Sequence, residues 1–205
     1  MMTETDLGIK FTLKGERAAI GGYLPQYDEF AINVYNAIEK GELEEIRVAD
    51  IAENVGKLDD VVYVTTSEVN AYQIKWSNAG DKMAYIDFKT LIPEIVDGWR
   101  KLRQKYPDKI IKPHLLTNKK LTSGDDTIKV LVEKGSEGFA EYEREVLRKL
   151  KNKEPIDAKW EKAVKDLSHF STLDAQEWVD FWSVFSFQFD YKQELIEVAQ
   201  AGVSQ

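Results

Sequence analysis

The sequence predicts an α/β protein in which a small mixed sheet is flanked by helices and followed by a helical C-terminal extension. Three observations support this class. Apolar residues recur at helical spacing in residues 24–40, between Gly21-Gly22 and Gly41. Two neighbouring segments, 59–66 and 69–76, are rich in β-branched and other strand-forming residues and predict a hairpin. After Asp125 the pattern becomes mostly helical.

The remaining elements place a helix, three strands, a helix, a strand and further helices in chain order. Residues 45–51 predict a short strand before the hairpin. Residues 87–106 predict a long helix that ends at Pro107. Residues 109–117 predict another strand, in which Pro113 indicates an edge position or a bulge. Helices are then predicted at about 137–151, 157–168, 174–188 and 190–200.

Length and composition limit the class of protein. A chain of 205 residues suits a core at 1–125 with an extension at 126–205 packed on the same domain. The chain has no cysteine, which excludes disulfides and thiolate zinc sites. No apolar run has the length of a membrane span, and the start, MMTETDLGIKF, lacks the pattern of a signal peptide. We therefore expect a cytoplasmic protein without a membrane partner.

The charge distribution indicates one basic stripe on an acidic chain. The net charge is −8, but residues 100–120 hold eight basic side chains and one acid, so this window carries +7 and the rest −15. Such a stripe can hold a polyanion, although a solvated helix face followed by a lysine-rich loop gives the same pattern. The candidate nucleic-acid contacts in this window are Lys101, Arg103, Lys112, Asn118, Lys119 and Lys120.

The predicted hairpin brings three polar residues to one face. A turn centred on Ser67-Glu68 places Asp60 opposite Lys75, and alternation then puts Asp60, Gln73 and Lys75 on the same face. Carboxylate, amide and backbone carbonyl oxygens are ligands of Mg²⁺, so Asp60, Gln73 and the Ile74 carbonyl could hold this cation. Lys75 could orient the attacking water or stabilise charge that develops on a phosphate.

Two alternatives remain open at this point. A three-residue loop would bring Asp59 onto the polar face instead of Asp60, and either Gln26 or Glu29 of the first helix could help to position the site. The polar face could also simply be solvated, with Asp60 and Lys75 forming a weak cross-strand ion pair. His114, within an apolar strand, and His169, within a helical segment, are interpreted as structural.

Four segments together resemble a known family. They are GGYLPQYDEFAINVYNAI, then LDDVVYV with AYQIKW, then IIKPHLLTNKKL, and finally DLSHFSTLDAQEWVDFWSVFSFQF. In this order, over roughly residues 15–190, they are similar to the PD-(D/E)xK restriction-like nuclease module at the N-terminus of CBASS effectors and Avs-type STAND NTPases.

The resemblance implies a restriction-endonuclease-like core and Mg²⁺-dependent (or Mn²⁺-dependent) cleavage of double-stranded DNA in bacterial anti-phage defence. It makes Asp60 the metal-binding aspartate, with Asp59 beside it, and puts Gln73 in the acidic place of the (D/E)xK element. Lys75 is the lysine of that element, and Gln26 matches a helix position often held by Glu. The two glutamines depart from the pattern and imply a weaker metal site.

The resemblance also implies a longer assembly. In that family a sensor or NTPase part follows the nuclease and oligomerisation activates it, so we expect a homo-oligomer with weak activity in the isolated domain. The alternative is a catalytically inert nucleic-acid-binding or oligomerisation domain on the same fold. A third hypothesis, a protein-interaction module, is suggested by the acidic net charge and the aromatic C-terminal segment.

Overall fold

A central mixed sheet organises the molecule. The computed structural model describes residues 31–48, 58, 60–77, 81–132 and 138–191. The strands are β1 (Leu43–Val48), β2 (Val61–Thr65), β3 (Glu68–Lys75), β4 (Lys82–Met83), β5 (Ile110–Thr117), β6 (Lys120–Leu121) and β7 (Ser186–Gln188). Five of them form one sheet in the order β1-β2-β3-β5-β7, and β4 pairs with β6 in a separate ribbon.

Helices cover both faces of this sheet. They are α1, whose described part is residues 31–39, α2 (Tyr85–Lys105), α3 (Asp126–Leu131), α4 (Phe139–Tyr142), α5 (Arg148–Asn152), α6 (Glu161–Ser171) and α7 (Ala175–Val184). A π-helical segment, Glu143–Leu147, joins α4 to α5, and a 3₁₀ turn, Ala158–Trp160, precedes α6. Within the described residues, no helix has both the length and the apolar character needed to cross a membrane.

Strand directions decide which ends of the strands meet. Strands β1, β2 and β3 are antiparallel neighbours, whereas β3, β5 and β7 run parallel. A parallel pair needs a crossover, and α2 forms most of the one between β3 and β5. The carboxyl ends of β3 and β5 therefore lie at the same edge of the sheet as the amino end of β2.

The two faces of the sheet bury separate apolar clusters. The larger cluster includes Val62, Ala71 and Leu115 and packs on α2, for example on Phe88 and Trp99. The smaller cluster, which includes Val34 of α1, lies on the opposite face with Val61, Tyr63, Tyr72, Ile74 and Leu116. Every residue of β2 is buried, and in the polar face predicted for the hairpin Gln73 is buried while Asp60 and Lys75 are half-buried.

One buried carboxylate fixes the start of α2. Asp125 Oδ2 accepts a hydrogen bond of 2.6 Å from the Tyr85 N–H, while its Oδ1 accepts from the Thr127 and Ile128 N–H groups at 3.0 and 3.3 Å. Asp125 is thus the N-cap of α3 and also satisfies an N–H of the first turn of α2. The Asp125 side chain therefore links the first turns of α2 and α3, next to the ribbon formed by β4 and β6.

The predicted register of the hairpin is wrong by two residues. Val61 pairs with Tyr72 and Val64 with Val69, so the turn is centred one residue earlier, between Thr66 and Ser67. The Thr65 hydroxyl accepts the Glu68 N–H at 3.1 Å and holds this turn. A shift of two preserves side-chain parity. Asp60, Gln73 and Lys75 therefore keep a common face, but the residue opposite Asp60 becomes Gln73.

The edge position predicted for Pro113 is explained by alternation in β5. The Ile110 N–H donates to the Ser67 carbonyl at 3.0 Å and so points toward β3. Because backbone N–H groups alternate in direction along a strand, the nitrogen of Pro113 points away from β3. On that side β7 pairs only with His114–Leu116. The N–H that proline lacks is therefore not needed for a ladder hydrogen bond.

The C-terminal part is not purely helical, which corrects the prediction of a helix over 174–188. Helix α7 ends at Val184, and Ser186–Gln188 forms β7 on the free edge of β5. The alternating sequence Ser-Phe-Gln-Phe suits a strand that buries its aromatic side chains on one face. The short β4 and β6 were not predicted, and residues 192–200 of the last predicted helix lie outside the described part.

Candidate active site

Polar side chains gather at the edge where the ends of β2, β3 and β5 meet. Asp60 directly precedes β2, Gln73 and Lys75 lie at the end of β3, Thr117 ends β5, and Asn118 follows it. We call this edge, defined by these five residues, the site edge. Its members come from three strands, so the site depends on the packing of the whole sheet.

The Asp60 carboxylate binds the end of β3. Its Oδ2 accepts hydrogen bonds from Gln73 Nε2 at 2.5 Å and from the Ile74 N–H at 2.6 Å. Both N–H groups donate to a charged acceptor, which makes these bonds stronger than bonds between neutral groups. Because the pairing of β2 with β3 begins at Val61, the carboxylate supplies an acceptor for an Ile74 N–H that lies beyond the ladder.

Gln73 contributes an oxygen that lacks a partner. The residue is only 3% exposed, and its Oε1 makes no hydrogen bond in the described part of the chain. A buried amide oxygen without a partner is unusual, because desolvation without compensation costs about 1–3 kcal/mol. This oxygen is therefore the atom of the site edge that is suited to bind a cation or to accept a hydrogen bond from a ligand.

The donor set suits a hard cation but contains little negative charge. Asp60, Gln73 Oε1 and the Ile74 carbonyl are oxygen donors of the kind that Mg²⁺ takes, with water completing its coordination. Within residues 31–48, 58, 60–77, 81–132 and 138–191, no group of three or more His, Cys, Asp or Glu could hold a metal ion. Asp59, Gln26 and Glu29 lie outside those ranges, so their roles stay predictions.

Lys75 is the cation among the five residues of the site edge. It follows Gln73 by two residues on the same face of β3 and is half-buried. Its backbone carbonyl accepts a hydrogen bond of 2.6 Å from the Thr117 hydroxyl, which joins β3 to β5 at the site edge. Among the described residues no carboxylate forms an ion pair with the Lys75 ammonium.

Asn118 has a positioning role in the structure. Its Oδ1 accepts the Ser77 N–H at 3.1 Å, and its Nδ2 donates to the Ser77 carbonyl at 2.8 Å. The two bonds link the chain after β5 to the chain after β3. The Lys119 and Lys120 side chains follow directly, and neither forms an ion pair with a carboxylate in the described part of the chain.

The predicted basic stripe divides into two groups. Asn118, Lys119 and Lys120 lie at or next to the site edge, whereas Lys101 and Arg103 lie in the last turns of α2, toward the opposite edge. Lys101 pairs with Asp97 at 2.8 Å, and the Arg103 guanidinium stacks over the Trp99 ring at 4.6 Å. Lys112, within β5, pairs with Glu68 at 2.6 Å. Most of the cations away from the site edge therefore already contact an acidic or aromatic side chain.

His114 lies on the other face of the sheet, away from Gln73. Its ring stacks on Tyr72 with centroids 4.3 Å apart, and Nε2 lies 3.1 Å from Asn70 Oδ1. Burial, helped by the charges of Lys112 and Lys151, lowers the pKa of His114 to about 4. A neutral, stacked imidazole fits the structural role that the sequence predicted.

Sequence reasoning missed Ser77 as the partner of Asn118. Thr117 is completely buried, and it was visible in the sequence only as the polar residue that ends an apolar strand.

Comparison of the chain with protein-family models gives no match, and comparison with curated proteins gives none either. The fold and the site edge together define a mixed α/β protein with a carboxylate, a buried amide and lysines at the ends of three strands.

Proposed function

We propose that the chain is a metal-dependent endonuclease domain that hydrolyses double-stranded DNA, built on a restriction-endonuclease-like core. The observation that carries the proposal is the contact of the Asp60 carboxylate with Gln73 and Ile74, two residues before Lys75. The resemblance of the sequence to nuclease modules of anti-phage effectors adds the proposed setting, which is the effector part of a bacterial defence protein.

The order of elements supports the restriction-like assignment. A helix, three antiparallel strands, a second helix and a parallel strand follow one another from α1 to β5. The segments that resemble the second and third family motifs are β2 and β3, and their polar residues meet in space. If the likeness of these short motifs to the family were due to chance, their polar residues would not need to lie close together.

Each residue of the site edge would have a distinct role. Asp60, Gln73 Oε1 and the Ile74 carbonyl would hold a Mg²⁺ or Mn²⁺ ion, which when bound offsets negative charge on the scissile phosphate. The Lys75 ammonium would donate a hydrogen bond to the attacking water or to a phosphate oxygen, and so orient it. Lys119 and Lys120 would contact backbone phosphates of the duplex.

Cleavage of supercoiled plasmid tests the proposal. The wild-type chain, Lys75→Ala and the control Lys165→Ala are compared with Mg²⁺ and with EDTA over a range of protein concentrations. Lys165 pairs with Glu161 at an exposed position of α6, so its loss should change neither fold nor cleavage. We expect Mg²⁺-dependent nicking that Lys75→Ala reduces by roughly 100-fold or more, the usual contribution of such a group.

The same assay tests whether cleavage requires the chain to form oligomers. Because related modules act within longer oligomeric chains, we expect cleavage to rise more steeply than protein concentration and to increase when the chain is fused to a forced oligomer. A wild-type chain that neither nicks DNA as a forced oligomer nor binds Mg²⁺ would contradict the nuclease proposal. Full activity of a monomer at high dilution would contradict only the requirement for assembly.

A second candidate is an inert nucleic-acid-binding or oligomerisation domain on the same fold. The neutral Gln73 favours it, since its amide N–H already occupies the carboxylate that would bind the metal. The two candidates differ in the effect of Lys75→Ala. In a nuclease this change abolishes cleavage and leaves DNA affinity nearly unaltered, whereas an inert domain shows no metal-dependent cleavage to lose.

A further inference from the structure

A cavity of about 410 Å³ lies beside the site edge, and its lining holds aromatic rings, two cations and two carboxylates. Lys120, Arg148, Phe187 and Phe189 line it, together with Glu143 and others. We propose that this cavity continues the DNA-binding surface, so that phosphates of the strand leaving Lys75 contact Lys120, Arg148 and Lys151. The identity of the polyanion as DNA rests on the proposed function, whereas the basic surface itself does not.

Strand register places the cavity on the same face as the candidate site. Gln73 pairs with Leu115 across β3 and β5, and Leu115 pairs with Phe187 across β5 and β7. These three residues form one row, and in a sheet such a row points to one side. Two strand spacings separate Gln73 from Phe187, about 10 Å. DNA advances about 3.4 Å per nucleotide along one strand, so roughly three nucleotides span the interval.

Further cations lie near the cavity on three elements of the chain. Lys82 of β4 pairs in register with Lys120 of β6, and Lys119 precedes it. Lys151 of α5 reaches over β7, since its Nζ lies 3.4 Å from Ser186 Oγ and 6.0 Å from the centre of the Phe187 ring.

The lining itself balances two cations, Lys120 and Arg148, against two carboxylates, Glu143 and Asp190. Positive charge beyond that balance comes from Lys119 and Lys151 beside the cavity, and lysines of this kind attract a phosphate backbone.

The π-helical segment positions Arg148 at the cavity. Arg148 donates its backbone N–H to the Glu143 carbonyl, and its Nε bonds the Glu143 carboxylate at 2.7 Å. Residues five apart contact each other in this way because the π-helix closes over five residues. The Arg148 side chain remains 66% exposed. Its remaining N–H groups therefore face solvent, where they can donate to a phosphate oxygen.

The floor of the cavity is apolar. Phe187 and Phe189 are half-buried, and their ring centres lie 5.8 Å apart. The floor is packed on the main core, where Phe189 contacts Phe139 with ring centres 5.7 Å apart. Cations at the rim and aromatic rings at the base are typical of surfaces that bind phosphates while contacting sugar or base.

The salt dependence of DNA binding tests this surface. A fluorescently labelled short duplex is titrated with the wild-type chain, Lys120→Ala, Lys151→Ala, the double variant and Lys165→Ala, in EDTA and over a range of salt concentrations. Each phosphate contact contributes about 0.9 to the slope of log affinity against log salt. We expect the slope to fall by about 0.9 in each single variant and by about 1.8 in the double variant, with no change in Lys165→Ala.

The outcomes separate this inference from the nuclease proposal. Both lysines are exposed, so the variants should keep the thermal stability of the wild type, which is measured as the control for folding. A double variant that is folded and retains the wild-type slope overturns the inference, as does a wild-type chain that does not bind the duplex. Because EDTA prevents cleavage, a reduced slope supports the surface even where plasmid assays detect no nuclease.

Discussion

Replacement of Asp60 by alanine tests the structural part of the candidate site. The change removes the acceptor of two hydrogen bonds, from Gln73 Nε2 and the Ile74 N–H. Hydrogen bonds to a charged group contribute about 1.5–3 kcal/mol each. Gln73 is 3% exposed, but Asp60 is only half-buried, so water can replace part of the lost interaction. We therefore expect the free energy of unfolding to fall by about 2 kcal/mol.

Urea unfolding of the wild type, Asp60→Ala and Asp60→Asn measures this effect. The asparagine keeps an amide oxygen that can accept one of the two N–H groups, so we expect a loss below about 1 kcal/mol. The m-value should be the same in all three proteins, because the surface exposed on unfolding does not change. If Asp60→Ala stays within about 0.5 kcal/mol of the wild type, the carboxylate does not hold the end of β3 and the reasoning is refuted.

Two further perturbations test the packing around the site. Because burial lowers the pKa of His114 from 6.5 to about 4, the unfolded chain binds its proton more readily in that interval. The neutral His114 side chain therefore contributes up to roughly 3 kcal/mol to the free energy of unfolding above pH 6.5, and this contribution is lost as the pH falls toward 4. Denaturant unfolding at several pH values should show this slope, and His114→Phe should flatten it. Gly138 has φ of +99°, and a Cβ there would lie 2.9 Å from the Asp125 nitrogen, so Gly138→Ala should lower the unfolding free energy by more than about 1 kcal/mol. An unchanged melting temperature would contradict that expectation.

The sequence predicted the elements of the hairpin better than their register. Periodicity and β-branched residues located β2 and β3, and a shift of two residues preserved the common face of Asp60 and Gln73. The turn between Thr65 and Glu68 contains no Gly or Asn to fix its type. Its position depends on the Thr65 hydroxyl and on the hydrogen bond from the Thr66 N–H to the Glu42 carbonyl, which is a tertiary contact.

The charge of the basic window could not be interpreted without the fold. Counting residues gave a stripe of cations, but their partners, such as Glu68 for Lys112 and Glu177 for Arg100, are 44 and 77 positions away in the chain. Conversely, Arg148 comes close to the site edge only because the short β7 docks on β5. A three-residue strand is too short to be recognised by its period, so this part of the surface had no sequence pattern.

The neutral Gln73 would allow the proposed metal site to be stable before any cation binds. A glutamate at this position would place a second carboxylate within hydrogen-bond distance of Asp60, and the repulsion of two like charges, one of them buried, would oppose folding. The glutamine instead donates Nε2 to Asp60 and turns Oε1 into the interior without a partner. Rotation of the amide by half a turn would present Oε1 to a cation beside Asp60. The proposed site would fold without metal and would bind Mg²⁺ more weakly than a pair of carboxylates, because one anionic ligand attracts Mg²⁺ less than two. Tight binding would then require a further anion, and a DNA phosphate held by Lys75, Lys119 and Lys120 is the one that the proposed function supplies.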